Sequence, residues 1–416
     1  MLRDRLRALP AILLLVLALP SLAGFTAFRE PGLLPGQGSD EVVTVADLAR
    51  LRSQPAAPQI SARAAVVLDA SAGVELYAKA PDERIAPAST AKILTALVVI
   101  EWGKLDRRVT IEGRDYGDPD DSVMCLEPGD VVTVEDLLYG ILLPSGGDAA
   151  LAAARTVGTD LLAGAPGDPV ARFVQEMNAR VARLGLQNTR FRNPHGNDAE
   201  GQYASARDLA AITTEAMNSP TFARIAGTAE TTRKTVEGRP PAPNAPTSLD
   251  CYPPYAARRT AGGQVSFLLA TTNRLLGQRE GVHGVKTGTT EECGKCLVAA
   301  QWGPGGRIIT VVLGSGPASE NRYTDTTALL DWANSAYRWI PVGQGAGPPG
   351  LEPALARWGV GLREGRTIVL PAWEAPTLRY RLLLDPGRRA PGEQRGSVVF
   401  LAGPREVLTL PVYAER

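Results

Sequence analysis

Between Lys92 and Ile100 the sequence reads KILTALVVI, apolar almost all the way round a helix and with no face to offer water. Such a helix is buried. The PASTA segment that leads into it places Ser89 three residues before Lys92, and Pro87 and Ser89 both suit a helix start. At that spacing the hydroxyl and the amine lie on one face, about a turn apart. Burial strips hydration from Lys92, which disfavours its charged form and lowers its pKa. A neutral amine beside a serine can act as its general base. Taken alone, Ser-x-x-Lys recurs by chance, and first-turn lysines commonly reach out to water. The rest of the chain decides.

The 416 residues, 44% of them hydrophobic, are enough for two or three domains and a sizeable core. Lys and Arg balance Asp and Glu at 44 each, so no nucleic-acid footprint is visible and no nucleic-acid partner is expected. At the N-terminus, Arg3, Arg5 and Arg7 precede an apolar run from Ala8 to Leu19 and the small residues of Ser21-Leu22-Ala23. That pattern is an export signal or, less favoured, an uncleaved anchor over residues 1–24; it predicts an exported, periplasmic or extracytoplasmic chain with possible N-terminal membrane attachment. Export makes the four cysteines candidates for disulfides, and four cysteines allow three pairings. The expectation leans to Cys293–Cys296, a CxxC, and Cys125–Cys251, without the sequence choosing among them. No metal site is expected, because a zinc site would need more ligands near these cysteines and the chain has only two histidines.

Residues 25–57 read as a lead-in linker. From Ala62 to Ala80 two short strands flank a turn, and the buried helix follows. Thr133 with Asp136 three residues on caps a helix, which breaks at Pro144–Gly147 and resumes. Asp168-Pro169 opens an amphipathic helix stopped by Gly185, and Ser205 opens another. After Gly263 the pattern turns to strands, closed by a helix from Asn321. Strands, helices, strands and a last helix describe an α+β fold, one sheet covered by helices, over residues 58–340. A Gly- and Pro-rich linker at 341–353 then leads to a small all-β module at 354–416.

Two further segments have the flavour of the first. LLPSGGDAA sets Ser145 at a Gly-rich break between helices, and VHGVKTGTT sets Lys286 on a strand that ends in Gly. Ordinary readings exist for each, a helix-connecting turn and a surface strand lysine. Together and in order, Ser-x-x-Lys, Ser-Gly-x and Lys-Thr-Gly form the three-motif set of penicillin-recognising serine enzymes. Over about residues 60–338 the chain resembles the D-alanyl-D-alanine carboxypeptidases among the low-molecular-mass penicillin-binding proteins, and the trailing module resembles the β-sandwich found in many of them. The fold implied is the β-lactamase/transpeptidase-like one.

The resemblance implies a serine-type acyl transfer. Ser89 attacks the carbonyl between two D-alanines of a peptidoglycan pentapeptide stem, Lys92 is its base, and Ser145 relays a proton to the leaving amine. Lys286, Thr287, Gly288 and Thr289 match the substrate-binding strand, with Arg322 assisting at the ligand carboxylate. The oxyanion hole would use the N–H groups of Ser89 and Thr289. β-Lactams would be covalent inhibitors, and no cofactor is implied. His195, in NPHG, reads as a structural turn, and His283 as a packing or solvated residue. The pattern departs from the family at Gly147, where relatives carry an asparagine that hydrogen-bonds the amide side of the substrate. Asp148, next along, is not promoted to replace it. A DD-endopeptidase of the same chemistry and a non-catalytic peptidoglycan- or penicillin-binding protein are the alternatives. A β-lactamase fits the extra C-terminal module less well. Of the C-terminal amphipathic membrane helix common in relatives no counterpart is expected after the last strand pattern.

Overall fold

The computed structural model describes residues 55–415, except 117–120, 239–247, 250–255, 260–262 and 388, together with the short strand Leu34–Pro35. The expected export signal and nearly all of the lead-in lie outside the described residues, as does Cys251.

A five-stranded antiparallel sheet lies at the centre of the larger unit. Its strands are β1 (Ala64–Asp69), β2 (Val74–Lys79), β3 (Val282–Thr290), β4 (Gly294–Gly303) and β5 (Gly306–Ser315), in the order β3-β4-β5-β1-β2. Side chains alternate across a strand, so a sheet buried on both faces needs continuous apolar runs. AAVV in β1 meets this demand: Ala64 and Val66 face one core, Ala65 and Val67 the other. In β5, Ile309 and Val311 join the first core while Ile308 and Val312 join the second.

The first core holds most of the helices: α1 (Lys92–Trp102), α2 (Val134–Leu142), α3 (Gly147–Leu162), α4 (Pro169–Arg183), α5 (Ala206–Asn218) and α6 (Pro220–Ala226). α1 is buried from Lys92 to Val99, as its all-round apolarity requires. Thr133, Asp168 and Ser205 cap α2, α4 and α5 with their side chains. On the opposite face α7 (Asn321–Ala336) packs Leu329, Leu330 and Ala333 against the sheet. A smaller four-stranded sheet (Glu230–Lys234, Val265–Ala270, Ala256–Arg259, Ser248–Leu249) flanks the helical side.

One buried ion cluster fixes α3. Arg155 donates to both oxygens of Asp115 at 2.7 Å, to Glu112 at 2.9 Å and to the Thr110 carbonyl at 2.9 Å. Asp115 is 1% exposed, so removing the guanidinium strands a buried carboxylate. Arg155→Ala is expected to cost about 3–5 kcal/mol in urea unfolding; a loss below about 1 kcal/mol would mean that water already screens the pair.

β6 (Tyr337–Val342) pairs with β7 (Arg366–Pro371), and β8 (Leu378–Leu384), β9 (Gln394–Ala402) and β10 (Arg405–Ala414) are the inner strands of a five-stranded C-terminal sheet, edged by Leu34–Pro35 beside β8 and Val360–Gly361 beside β10. The C-terminal part is not all-β. A helix, α8 (Leu351–Trp358), runs from the stretch expected as linker into the expected β-module. Pro353 sits in its first turn, where a missing N–H costs no helical bond, and Leu351 and Leu355 bury into the core of Leu382, Phe400 and Val412. The unit is tied to the central sheet: the Trp339 indole donates to Asp69 at 2.5 Å, and the Tyr337 hydroxyl to the Leu76 carbonyl at 2.7 Å.

Candidate active site

Ser89 lies in a single 3₁₀ turn, Ala88–Ala91, and Lys92 is the first residue of α1. The expectation of one continuous α-helix is corrected here in a way that tightens the pair. Side chains at i and i+3 eclipse in 3₁₀ geometry, and Lys92 Nζ stands 3.0 Å from Ser89 Oγ. The amine also donates to the His195 carbonyl at 2.6 Å. Lys92 is 1% exposed. Burial pulls its pKa down from 10.5 to about 8, against the opposing pull of Asp121 and Asp148.

Two glycines let other segments reach this turn. Gly196, in the NPHG loop, has φ +95°, and a Cβ there would fall 2.0 Å from the Ala88 carbonyl oxygen. Gly288 brings β3 against the turn; its Cβ would lie 3.0 Å from that of Ala88 and 3.3 Å from Ser89 N. The NPHG turn is therefore part of the site through its backbone, which sequence reading missed because a carbonyl contact leaves no side-chain signature.

Ser145 sits in the α2–α3 break with φ +72°, left-handed backbone that a non-glycine residue seldom adopts. Ser89, Ser145, Thr287, Gly288, Thr289 and Arg322 all line one cleft of about 440 Å³, together with Ser122, Thr272 and Tyr323. Those last three were not anticipated; single polar residues in loops carry no motif. Lys286, on β3, is 1% exposed and donates to the Thr287 carbonyl at 3.0 Å. Burial, then the charges of Lys92 and Arg322, hold its amine well below the usual lysine range. Thr287 Oγ1 shares a hydrogen bond with Thr272 Oγ1. Arg322, at the start of α7, donates to the carbonyls of Gly288 at 2.8 Å and Cys296 at 3.3 Å.

Cys293 and Cys296 are disulfide-bonded across the β3–β4 turn. Cys125 is also disulfide-bonded. The Cys251 end of its expected pair lies outside the described residues. His283 stacks on Trp302 with ring centroids 4.7 Å apart, away from the cleft. Asp148 spends its carboxylate on the N–H groups of Met124, Leu126 and Ala149, so it does not stand in for the missing asparagine.

A model of the family described as D-alanyl-D-alanine carboxypeptidase matches residues 51–316. The chain belongs to this family. Among relatives, the D-alanyl-D-alanine carboxypeptidase DacF of Bacillus subtilis is 33% identical over 285 residues, covering 68% of this chain but only 64% of DacF. A D-alanyl-D-alanine carboxypeptidase of a Streptomyces strain is 35% identical over 284 residues, or 66% of this chain and 88% of the relative. The crystal structure of a Streptomyces DD-transpeptidase superposes with a TM-score of 0.57 at 32% identity, over 67% of this chain and 99% of that one. The D-alanyl-D-alanine carboxypeptidase DacD of Francisella tularensis, at 24% identity and a TM-score of 0.63, covers 87% of this family member and shares its fold.

Proposed function

We propose that this family member is a serine-type D-Ala-D-Ala carboxypeptidase acting on peptidoglycan stem peptides. One observation carries the reading: a fully buried amine, its pKa drawn down to about 8, lies 3.0 Å from the Ser89 hydroxyl on the wall of a polar cleft. Lys92 takes the Ser89 proton as Oγ attacks the carbonyl between the two D-alanines. Ser145 passes a proton to the departing nitrogen, terminal D-alanine leaves, and the acyl group remains as an ester on Ser89. Water then hydrolyses that ester. Lys286, Thr287 and Arg322 hold the substrate's terminal carboxylate, a charge that would offset the mutual repulsion of the buried cations. The N–H groups of Ser89 and Thr289 receive the developing oxyanion. A penicillin, carrying a carboxylate and a strained amide, enters by the same route and stays on Ser89. The Arg-rich, apolar N-terminal sequence supports export and an extracytoplasmic site of action. Among the described residues no helix is long and apolar enough to cross a membrane.

The test is incubation with a peptide ending in D-Ala-D-Ala, assayed for free D-alanine, with mass analysis of a penicillin adduct on Ser89. Release of D-alanine and a Ser89 adduct are expected. Neither appearing would favour a non-catalytic binding protein. The lowered Lys92 pKa fixes the sign of the pH profile. Below about 8 the amine is protonated and cannot accept the Ser89 proton. Acylation should therefore climb between about pH 6 and pH 9 and level off on the alkaline side; a flat profile would separate Lys92 from the proton transfer.

A further inference from the structure

At position 147, where the resemblance implies asparagine, the chain has glycine, and the room beside it is filled. A Cβ on Gly147 would lie 2.7 Å from Asp121 Oδ2 and 3.1 Å from its Cγ. The carboxylate of Asp121 therefore occupies the space that a side chain at 147 would take. Its segment is clamped there: Gly147 N donates to the Ser122 carbonyl at 2.7 Å, and Asp148 binds the N–H groups of Met124 and Leu126. Asp121 Oδ2 is nonetheless buried without a hydrogen-bond partner. A buried carboxylate oxygen with no donor is costly, and a ligand bringing one would relieve it. Ser122, the adjacent residue, lines the same cleft as Ser89 and Ser145.

We propose that Asp121 is a specificity-determining residue of the active site, supplying from the loop ahead of α2 the acceptor that Gly147 lacks and selecting peptides that present an amide N–H to it. The inference rests on the peptidase reading above. A carboxamide both donates and accepts, whereas a carboxylate only accepts. The substitution therefore rewards a peptide N–H at this point and disfavours a carbonyl oxygen there. The charged groups whose fields bear on Lys92 are Asp121 and Asp148, which favour its protonated form, and Lys286 from β3. The oxygens of Asp148 are already committed to backbone N–H groups, which leaves Asp121 as the carboxylate with a free oxygen.

The experiment compares the parent with Asp121→Asn, Gly147→Asn and the double variant Asp121→Ala/Gly147→Asn. Penicillin acylation and D-alanine release are followed across pH, with melting temperature as the folding control. Asp121→Asn is nearly isosteric. It should move the acylation midpoint to lower pH, because Lys92 loses an anionic neighbour, and reduce kcat/KM for the peptide by about 10-fold, the worth of one charge-assisted hydrogen bond. Gly147→Asn alone collides with Asp121 and should lose activity. The double variant empties that space and should recover to within about 3-fold of the parent. If Asp121→Asn keeps the parent's midpoint and kcat/KM while the parent is normally acylated, the inference is overturned and the peptidase reading stands. A parent that neither forms the adduct nor releases D-alanine removes both.

Discussion

Lys92→Met will slow acylation of Ser89 by a penicillin about 10²–10⁴-fold, the range over which a positioned base accelerates proton transfer, while the protein stays folded. Methionine matches the length of the buried stem and carries no charge to desolvate, so the core around α1 has no reason to open. What disappears is the amine 3.0 Å from Ser89 Oγ and its bond to the His195 carbonyl. Intact-mass kinetics of adduct formation, read beside a thermal melt, check both halves. Undiminished labelling by a folded Lys92→Met protein would take Lys92 out of the chemistry.

The second large effect is expected at a residue with no reactive group. Gly196→Ala puts a methyl 2.0 Å from the Ala88 carbonyl oxygen, at a φ of +95° that L side chains resist. The obstacle is backbone, so no rotamer change relieves it. Either the NPHG loop or the Ser89 turn must move, at about 2–5 kcal/mol. A shift of about 1 Å at the nucleophile costs about 10²-fold in rate, so acylation should fall even well below the melting transition. Gly185→Ala is the matched comparison: φ is also positive, at +71°, but nothing lies within 4 Å. That variant should lose about 1 kcal/mol and keep its rate. Equal behaviour of the two would refute the steric argument.

Ser89, Lys92, Ser145 and Lys286 stood out in the sequence because each sits in a short motif of fixed spacing. The central helices were legible for a related reason, since a buried all-apolar run and Ser, Thr or Asp caps leave local marks. Other parts of the site left none. Lys92 rests on a carbonyl supplied by His195, and any residue type could offer one. Asp121 reaches the space beside Gly147 through tertiary packing, 26 positions away in sequence. The α8 helix was hidden by composition: Gly and Pro on both sides of Leu351 announce a linker, while the burial of Leu351 and Leu355 that makes it a helix depends on strands beyond residue 378.

The strand order of the central sheet also bears on how the molecule comes into being. The hairpin at residues 64–79 finds its neighbour only when β5, at 306–315, is available. Ser89 and Ser145 are made early, yet the wall that carries Lys286 and Thr287 hangs on that distant partnership. Long-range pairings of this kind form slowly and leave unpaired edges meanwhile. A growing or shortened chain that has not reached β5 therefore holds Ser89 and Lys92 without the far side of the cleft, and the cleft is closed only when the sheet is complete.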